Sequence, residues 1–320
     1  MTPLLQIDDL VVDYASGGRT VRALDGAALT VEAGETVGVV GESGSGKSTL
    51  GSAIGGLLPG AAKVVSGAVR VDGDDVNSLR PTQLRALRRE RLGYVFQEPI
   101  GSLDPTMRVG KQVELALRGR GTKADVLPHL ERVRLRDPER VARSYPHQLS
   151  GGMAQRVAIA LAMAGKPEIL IADEPTAALD SQIREEVLGV IFSLAAESGT
   201  TILWLSHDLP AVAKRCSRVV VMYGGRVVES GSAGEVLAAP RHPYTAALVR
   251  AVPGELAEGE RLVPIPGQPP VLDGPSEGCA FAPRCPDADD ACAASRPPLV
   301  SVEQRDVLCH LAEETVGAGR

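Results

Sequence analysis

Residues Gly41–Thr49 read GESGSGKST and directly follow the short apolar stretch Thr36–Val40. The letters satisfy the pattern G-x-x-x-x-G-K-[ST], in which glycines let backbone N–H groups curve around phosphates. In this pattern the lysine, Lys47, reaches the β- and γ-phosphates, and the following hydroxyl, Ser48, is a ligand for Mg²⁺. A strand before the loop and a helical pattern after it are the context that the motif requires. The stretch therefore predicts a phosphate-binding loop in an α/β fold, with a plain glycine-rich turn as the alternative.

Apolar segments on either side of this loop extend the α/β prediction. Short β-branched runs alternate with helical patterns up to about residue 230, which is typical of βαβ units and a largely parallel sheet. Nearly continuous apolar runs predict buried central strands at Thr36–Val40, Ile169–Ala172 and Thr200–Leu205. Segments interrupted by turn residues predict antiparallel strands at Leu4–Tyr14, Val21–Leu24, Ala68–Val71 and a hairpin around Gly224–Gly225.

Composition limits the function classes. The chain has 320 residues, 34 Lys plus Arg against 40 Asp plus Glu, and a net charge of -6, so no overall basic field would attract nucleic acid. Apolar residues make up 44% and charged residues 23%, which excludes a disordered or membrane-embedded chain. No apolar run reaches the length of about 20 residues that spans a bilayer, and the first residues do not read as a secretory signal. We therefore expect a cytoplasmic protein whose membrane role, if any, goes through a partner.

Two further strand ends carry polar side chains. The segment Glu168–Glu174 reads EILIADE, where Asp173 could hold Mg²⁺ through water and Glu174 could activate the attacking water. The alternative is a simple helix start, with acidic residues favoured by the helix dipole. The segment TILWLSHDL places His207 at the C-terminal end of another strand, where open α/β sheets bind ligands, although a lone histidine there is more often structural.

A second glycine pair lies far from the first loop. Leu149–Met153 reads LSGGM and precedes AQRVAIALAMA, a strong helix former, so the glycines lie where a helix begins. One phosphate-binding lysine does not require two glycine cradles, unless the second serves a nucleotide held by another subunit. The alternative is an ordinary loop-to-helix turn.

Taken together, these motifs resemble the ATP-binding subunit of an ABC transporter, and the resemblance covers essentially the whole chain. It implies a P-loop NTPase (RecA-like) α/β core with an antiparallel β subdomain, an inserted helical subdomain and a C-terminal extension that contains cysteines. The expected domains are a nucleotide-binding domain over residues 1–240, with its helical subdomain at about 98–155, and an extension over 241–320.

The resemblance also assigns roles to residues. It implies catalytic roles for Glu174, for the switch histidine His207 and for the Q-loop glutamine Gln97 in YVFQEP. Mg²⁺ would be held by Ser48, Gln97 and Asp173. The expected ATP contacts are Tyr14, which stacks on adenine, then Gly41, Ser43, Gly44, Ser45, Gly46, Lys47, Ser48 and Thr49 of Walker A, Gln97, Asp173 of Walker B, Ser150, Gly151 and Gly152 of the signature, and Asp180 of the D-loop.

The family explains the second cradle through pairing of two ATPase subunits. ATP would lie between Walker A of one subunit and the signature of the other, and closure on ATP would move the helices of a permease. The segments SYPHQLSGGMAQR, RHPYTAALVRAVP and GCAFAPRCP, together with Met153, resemble the D-type subunit of oligopeptide, dipeptide and nickel importers. The implied partners are a second, related ATPase in a heterodimer, two permease subunits and an extracytoplasmic binding protein, at the cytoplasmic face of the membrane. Ala177 departs from the Ser or Thr common in the D-loop, which puts one hydroxyl contact across the dimer in doubt.

Four of the five cysteines crowd into the last part of the chain. Their intervals, C-x5-C, C-x6-C and C-x16-C, do not match the paired C-x2-C of common zinc sites. The arrangement resembles that of peptide importer ATPases, for which a [4Fe-4S] cluster held by Cys279, Cys285, Cys292 and Cys309 is implied. Zinc, with His310 as a ligand, and unliganded structural thiols are the alternatives.

The predicted function is therefore ATP hydrolysis that powers uptake of di- or oligopeptides through a permease. The alternatives are import of nickel or another small solute, a soluble ABC-type ATPase of translation or repair, and a subunit that binds ATP without hydrolysing it. The single Walker A and the lack of a heptad array argue against the translation and repair classes. The presence of both Glu174 and His207 argues against a subunit without turnover.

Overall fold

The computed structural model describes residues 2–117, 119, 121–177, 179–252 and 264–312. They form two compact units, residues 1–78 with 205–320 and residues 79–204. The predicted extension 241–320 thus has two stretches, 253–263 and 313–320, outside the described residues.

The first unit is rich in β-structure. Its strands are β1 (Leu5–Ser16), β2 (Arg19–Val31), β3 (Thr36–Val40), β4 (Ala62–Val71), β5 (Asp74–Asp75), β9 (Arg218–Tyr223), β10 (Arg226–Ser232), β11 (Leu299–Val302) and β12 (Arg305–Leu308). Its helices are α1 (Lys47–Ile54), α8 (Leu209–Arg215), α9 (Ala233–Ala238), α10 (Pro243–Arg250) and α11 (Asp290–Ala294), with short 3-10 helices at Val76–Ser78 and Ala282–Arg284.

Two sheets organise this unit. The first is antiparallel with the order β2-β1-β4-β5, which confirms the predicted antiparallel segments at the front of the chain. In the second, the strands of this unit follow the order β11-β12-β10-β9-β3, where only β3 and β9 run parallel. The turn at Gly224–Gly225, with both glycines at positive φ, joins β9 to β10 as predicted. Four of the five β3 residues are buried, so the chain enters the phosphate loop from the core.

The second unit combines strands with most of the long helices. Its strands are β6 (Leu92–Val95), β7 (Ile169–Asp173) and most of β8 (Thr201–Ser206), in the order β8-β7-β6, and β6 and β7 are parallel. Its helices are α2 (Pro81–Glu90), α3 (Val109–Ala116), α4 (Val126–Arg132), α5 (Pro138–Arg143), α6 (Gly151–Met163) and α7 (Ser181–Ser198), with 3-10 turns at Ile100–Ser102, Lys123–Asp125 and Pro146–Gln148. Every residue of β7 and β8 is buried, as the apolar runs predicted.

The C-terminal part of the chain joins the second sheet. β12 pairs with β10, and Val307, Cys309 and Ala312 form a small buried cluster. The turn between β11 and β12 consists of Glu303 and Gln304, both with positive φ (51° and 61°), a conformation that hairpins usually fill with Asn-Gly.

No helix in the described parts of the chain is both long and apolar enough to cross a membrane.

Candidate functional site

The phosphate loop, Gly41–Thr49, joins β3 to α1 in the first unit. Gly41, Gly44 and Gly46 have φ angles of 156°, 81° and 104°, which residues with a side chain rarely adopt. A Cβ at Gly41 would lie 2.3 Å from the carbonyl oxygen of Met222, whereas one at Gly44 would meet nothing within 4 Å. A glycine is therefore required at position 41 because of both close packing and the positive φ angle. At position 44 it is required by the positive φ angle alone.

Lys47 lies within this loop and is only 5% exposed. Its Nζ donates to the carbonyl oxygens of Gly41, at 2.8 Å, and Glu42, at 3.0 Å. These bonds orient the ammonium group against the inner side of the loop and satisfy a charge that would otherwise be costly to bury. The predicted phosphate ligand is thus positioned by the backbone that would surround the phosphates.

The remaining Walker A side chains vary in exposure. Ser43 and Ser48 are exposed, and Ser45 is 3% exposed beneath the loop. The Tyr14 hydroxyl oxygen of β1 lies 3.4 Å from Thr49 Oγ1, so the predicted adenine-stacking residue is brought next to the end of the loop. Tyr14 is partly exposed, as a residue that stacks on a flat ligand has to be.

His207 follows β8 and belongs to the first unit. Its side chain is exposed, and the next residue, Asp208, caps α8 by accepting a hydrogen bond from the N–H of Ala211 at 3.1 Å. The Asp208 N–H donates to Ser206 Oγ at 3.0 Å. These bonds fix the backbone on both sides of the histidine and leave its ring at the surface.

The second unit holds the predicted carboxylates. Asp173 ends β7 and is 7% exposed, and Glu174 follows it with φ of 42°. A left-handed glutamate costs roughly 1 to 2 kcal/mol, a strain that is common where a side chain is aimed at a ligand. Val95 of β6 pairs with Ala172 of β7, so Gln97, shortly after β6, lies at the same sheet edge as both carboxylates. The structure therefore brings together three of the predicted functional residues.

The signature loop, Leu149–Met153, begins α6 in the same unit. Ser150 is its N-cap, and its Oγ accepts a hydrogen bond from the Met153 N–H at 3.4 Å. Gly151 is exposed, and a Cβ there would meet nothing within 4 Å, while one at Gly152 would lie 3.3 Å from Ile183 Cγ2. Asp180 caps α7 in the same manner by accepting from the Ile183 N–H at 3.0 Å. Ser150 and Asp180 therefore each cap a helix in addition to their predicted roles.

A cavity of about 250 Å³ opens beside these residues within the second unit. Gln97, Ile100, Gly151 and Gln155 contribute to its wall, and Phe96 and Ile100 are exposed large apolar side chains, at 39% and 46%. Exposed apolar side chains around a concavity are typical of an interaction site.

The prediction of a [4Fe-4S] cluster is not supported. Among the described residues, no group of three or more His, Cys, Asp or Glu side chains is arranged to hold a metal ion. None of the five cysteines forms a disulfide. Burial raises the pKa of Cys285, Cys292 and Cys309, the last to about 11, and neighbouring thiols raise each of them further. The thiols of Cys285, Cys292 and Cys309 therefore remain protonated at neutral pH.

Sequence reasoning missed one residue of the phosphate loop. Glu42 occupies a position that the motif leaves open, yet its carboxylate forms an ion pair with Arg284, 242 residues later in the chain. No local pattern could reveal this partner, because only the fold brings the two segments together.

Comparisons with known proteins agree with these observations. The family model described as "ABC transporter" matches residues 24–177, and that described as "Oligopeptide/dipeptide transporter, C-terminal region" matches residues 228–292. The oligopeptide transport ATP-binding protein OppD of Escherichia coli K12 is 41% identical over 302 residues, covering 92% of this chain and 89% of that protein. The dipeptide transport ATP-binding protein DppD of the same organism is 38% identical over 321 residues and covers 98% of both.

Other relatives are longer than this chain. It spans only half the length of the oligopeptide transport ATP-binding protein of Mycobacterium bovis, to which it is 42% identical over 310 residues. Among solved structures, a dimeric bacterial ABC transporter cassette superposes with a TM-score of 0.64 at 34% identity, covering 72% of this chain and 98% of that one. This likeness confirms the predicted fold class, a P-loop NTPase cassette with mixed α/β content. The chain belongs to the ATP-binding proteins of the oligopeptide and dipeptide ABC transporters.

Proposed function

We propose that this chain is the ATP-hydrolysing subunit of a membrane importer that takes up di- or oligopeptides. The observation that carries the proposal is the phosphate loop, whose glycines adopt φ angles suited to a phosphate cradle and whose Lys47 is held against its inner side. The names of the relatives at about 40% identity support peptides over nickel as the cargo. They favour neither translation nor DNA repair.

The residues of the first unit fit the binding of a nucleotide. The N–H groups of the loop and the ammonium of Lys47 would bind the phosphates, and Ser48, which is exposed, would supply a hydroxyl to Mg²⁺. The ring of Tyr14 would stack on the adenine. His207 would contact the terminal phosphate, a role that its exposed position permits.

The residues of the second unit fit the hydrolytic step. Asp173 would bind Mg²⁺ through water and Glu174 would accept the proton of the attacking water, while Gln97 would help to orient both. Mg²⁺ sites with bound phosphates use one or two carboxylates and several waters, so these residues fit the ion without a larger cluster of protein ligands. The ion, when bound, supplies charge neutralisation for the phosphates.

The signature loop supports a partnership with a second ATPase subunit. Gly151 faces open space among the residues that the structure describes, and none of them demands a glycine there. We propose that Ser150, Gly151 and Gly152 contact ATP held by the partner and that Asp180 belongs to the same interface, most simply in a heterodimer with a related chain. The complete importer would add two permease subunits and an extracytoplasmic binding protein, with this chain at the cytoplasmic face.

The cavity beside Gln97 supports contact with the permease. Ile100, in its wall, exposes an apolar side chain, as does Phe96, the residue before Gln97. An apolar helix of a membrane subunit would cover both side chains. Binding of ATP would change the position of this surface, and the permease helix in contact with it would move along.

The iron–sulfur cluster remains a prediction from the sequence resemblance. The structure does not support it, and Cys279, Cys285, Cys292 and Cys309 would have to lose their protons to bind iron. The test is the content of iron and acid-labile sulfide in anaerobically purified protein. The resemblance implies both, with loss of both in C285S; anaerobic protein without either would exclude the cluster.

The experiment that tests the proposed function uses the assembled membrane complex. Tagged E174Q protein is purified from detergent-solubilised membranes with MgATP, and its partners are identified by mass spectrometry. Blocked hydrolysis should hold the complex closed, so two permease chains and a second ATPase should copurify, and steady-state ATPase activity should fall on the order of 100-fold.

A matched control is available at the other end of the same strand. Glu168 precedes β7 and its carboxylate pairs with Arg91 at 2.7 Å on the surface, so E168Q should keep nearly normal turnover. Unchanged turnover in E174Q would remove Glu174 from the proposed role. Copurification with ribosomes or repair proteins would refute transport and leave the ATPase assignment intact.

A further inference from the structure

Glu42, the second residue of the phosphate loop, is held by the C-terminal part of the same unit. Arg284 donates from Nη1 to Glu42 Oε2 at 2.7 Å and from Nη2 to Glu42 Oε1 at 3.1 Å. This two-bond geometry is the strongest arrangement of an arginine and a carboxylate. The Arg284 side chain is 5% exposed and that of Glu42 is 23% exposed, so water screens the pair only partly.

The backbone of Glu42 is held as well. Its N–H donates to the hydroxyl oxygen of Tyr244, in α10, at 2.8 Å, and its carbonyl oxygen accepts from Lys47 Nζ at 3.0 Å. Burial raises the pKa of Tyr244, so the phenol stays protonated at neutral pH. Glu42 therefore connects the phosphate-binding lysine to two residues that lie more than 200 positions later in the chain.

Arg284 is itself fixed in position. Its Nε donates to the carbonyl oxygen of Pro266 at 2.7 Å and its Nη1 to the hydroxyl oxygen of Tyr223 at 3.1 Å. The guanidinium lies over the rings of Tyr223 and Phe281, at 5.7 and 5.9 Å from their centroids. A cation held by two hydrogen-bond acceptors and two aromatic rings loses little further entropy when it pairs with Glu42.

An unpaired carboxylate in this loop would weaken phosphate binding. A loop that binds the phosphates of a nucleotide gathers negative charge, and a second negative group nearby repels it. Arg284 neutralises Glu42 and directs its carboxylate toward the C-terminal residues, while the Glu42 carbonyl oxygen remains available to orient Lys47. Both effects favour phosphate binding.

We infer that Arg284 is a positioning residue for the phosphate loop, which makes the C-terminal region part of the nucleotide-binding apparatus. The inference rests on the proposed function, because it assumes that the loop binds MgATP. The competing explanation is that the pair only attaches the C-terminal region to the rest of the unit. The two explanations differ in what a second substitution does.

The test is a double-mutant cycle on the full-length chain, with MgATP affinity measured by titration calorimetry and unfolding followed by thermal melts. R284Q leaves the carboxylate of Glu42 unpaired, so we expect MgATP affinity to fall on the order of tenfold. E42Q removes the negative charge and should cost less. The double variant R284Q/E42Q should bind MgATP better than R284Q alone, because the repelling charge is gone.

A matched control pair lies elsewhere in the same unit. Arg241 and Glu303 form an ion pair at 2.6 Å that also joins C-terminal segments but does not touch the loop. R241Q should leave MgATP affinity within about twofold of the wild type, whatever its effect on the melting temperature.

Three outcomes would overturn the inference. The first is R284Q affinity within twofold of the wild type, and the second is a double variant that binds more weakly than R284Q. If R284Q does not fold, R284K decides: it keeps the positive charge but loses the two-bond geometry, so its MgATP affinity should fall at least threefold, and wild-type affinity would be the third contrary outcome. A wild-type chain that fails to bind MgATP would instead refute the proposed function, and the inference with it.

Discussion

The two glycine loops of this chain are built in opposite ways. In the phosphate loop the glycines adopt positive φ angles, Gly41 lies against the carbonyl oxygen of Met222, and Lys47 bonds to the loop backbone. In the signature loop Gly151 and Gly152 have ordinary φ angles, and a Cβ at Gly151 would meet open space. The first loop is explained by contacts within the chain, whereas the described residues give no such reason for Gly151.

This difference indicates where each loop finds its ligand. The phosphate loop is shaped in advance by its own subunit and needs no other protein to form. A glycine at an exposed helix start is explained by close approach of a group from outside when the described part of its own chain gives no reason for it. Each variant can be measured both in the isolated subunit and in the assembled complex. A difference between the two measurements tests the comparison directly.

The largest effect is expected for Lys47, because its ammonium is the main positive charge inside the phosphate loop. K47A should weaken MgATP binding to the isolated chain on the order of 100-fold, measured by titration calorimetry. The control is K63A, an exposed lysine of β4, which should bind as the wild type does. Equal affinities for K47A and the wild type would contradict the self-contained phosphate loop.

The next effect concerns the support behind that loop. The Nδ1 of His242 accepts a hydrogen bond from the N–H of Tyr244, at 3.0 Å, and burial lowers the pKa of His242 to about 4. The unfolded chain therefore binds a proton near pH 6.5 that the folded chain does not take up until about pH 4. The contribution of His242 to the free energy of unfolding is fully present above about pH 6.5 and is lost as the pH falls toward 4.

We expect the free energy of unfolding to drop by about 2 kcal/mol from this residue alone between pH 7.5 and 5, measured by urea denaturation. H242Q should remove this part of the pH dependence even if its stability is lower throughout. H147Q, at an exposed position, should keep the wild-type slope. An unchanged slope in H242Q would show that the acid-sensitive group lies elsewhere.

A smaller effect is expected in the signature loop, and only in the complex. G151A adds a methyl group that meets no described residue of this chain, so the isolated protein should bind MgATP and melt as the wild type does. In the assembled complex the same methyl should obstruct the partner's nucleotide and lower ATP turnover about tenfold. G189A, where a Cβ in α7 also meets open space, should have no such effect. Weakened binding in isolated G151A would break the comparison.

The smallest effect is expected for the Tyr14 hydroxyl. At 3.4 Å from Thr49 Oγ1 its hydrogen bond is weak, and the ring is the part that would stack on adenine. Y14F should therefore change MgATP affinity less than twofold, while Y14A should weaken it several-fold. If Y14F lost as much affinity as Y14A, the hydroxyl rather than the ring would carry the contact.

Much of the fold was predictable because its signals are local. A few consecutive residues suffice to predict each of the buried strands β3, β7 and β8 and the turn at Gly224–Gly225. The C-terminal hairpin escaped prediction because its turn, Glu303–Gln304, holds two residues with long side chains at positive φ instead of glycine or asparagine. One of its strands, β12, is held by pairing with β10, far away in the sequence.

The candidate site likewise contains residues that local motifs reveal and residues that only the completed fold brings together. Residues such as Lys47 and Asp173 belong to motifs whose spacing reflects a local geometry. The pairing of Glu42 with Arg284 and the left-handed φ of Glu174 depend on the completed fold, and no short pattern encodes them. The cysteines show the opposite case, in which a sequence pattern predicts a site that the structure does not support. Their arrangement predicts a cluster, but the described side chains are not placed to hold one.

The pairing of β3 with β9 has a consequence for how the chain is made. Thr36 and Ser217 are 181 residues apart, and they exchange hydrogen bonds where these strands begin. At about 5 to 20 residues per second, translation leaves the strand before the phosphate loop without this partner for roughly 10 to 40 s. During that time an apolar edge is exposed, and contacts of such long sequence separation form slowly even when the chain is complete. We therefore expect newly made chains to depend on chaperones until residues beyond β9 have left the ribosome.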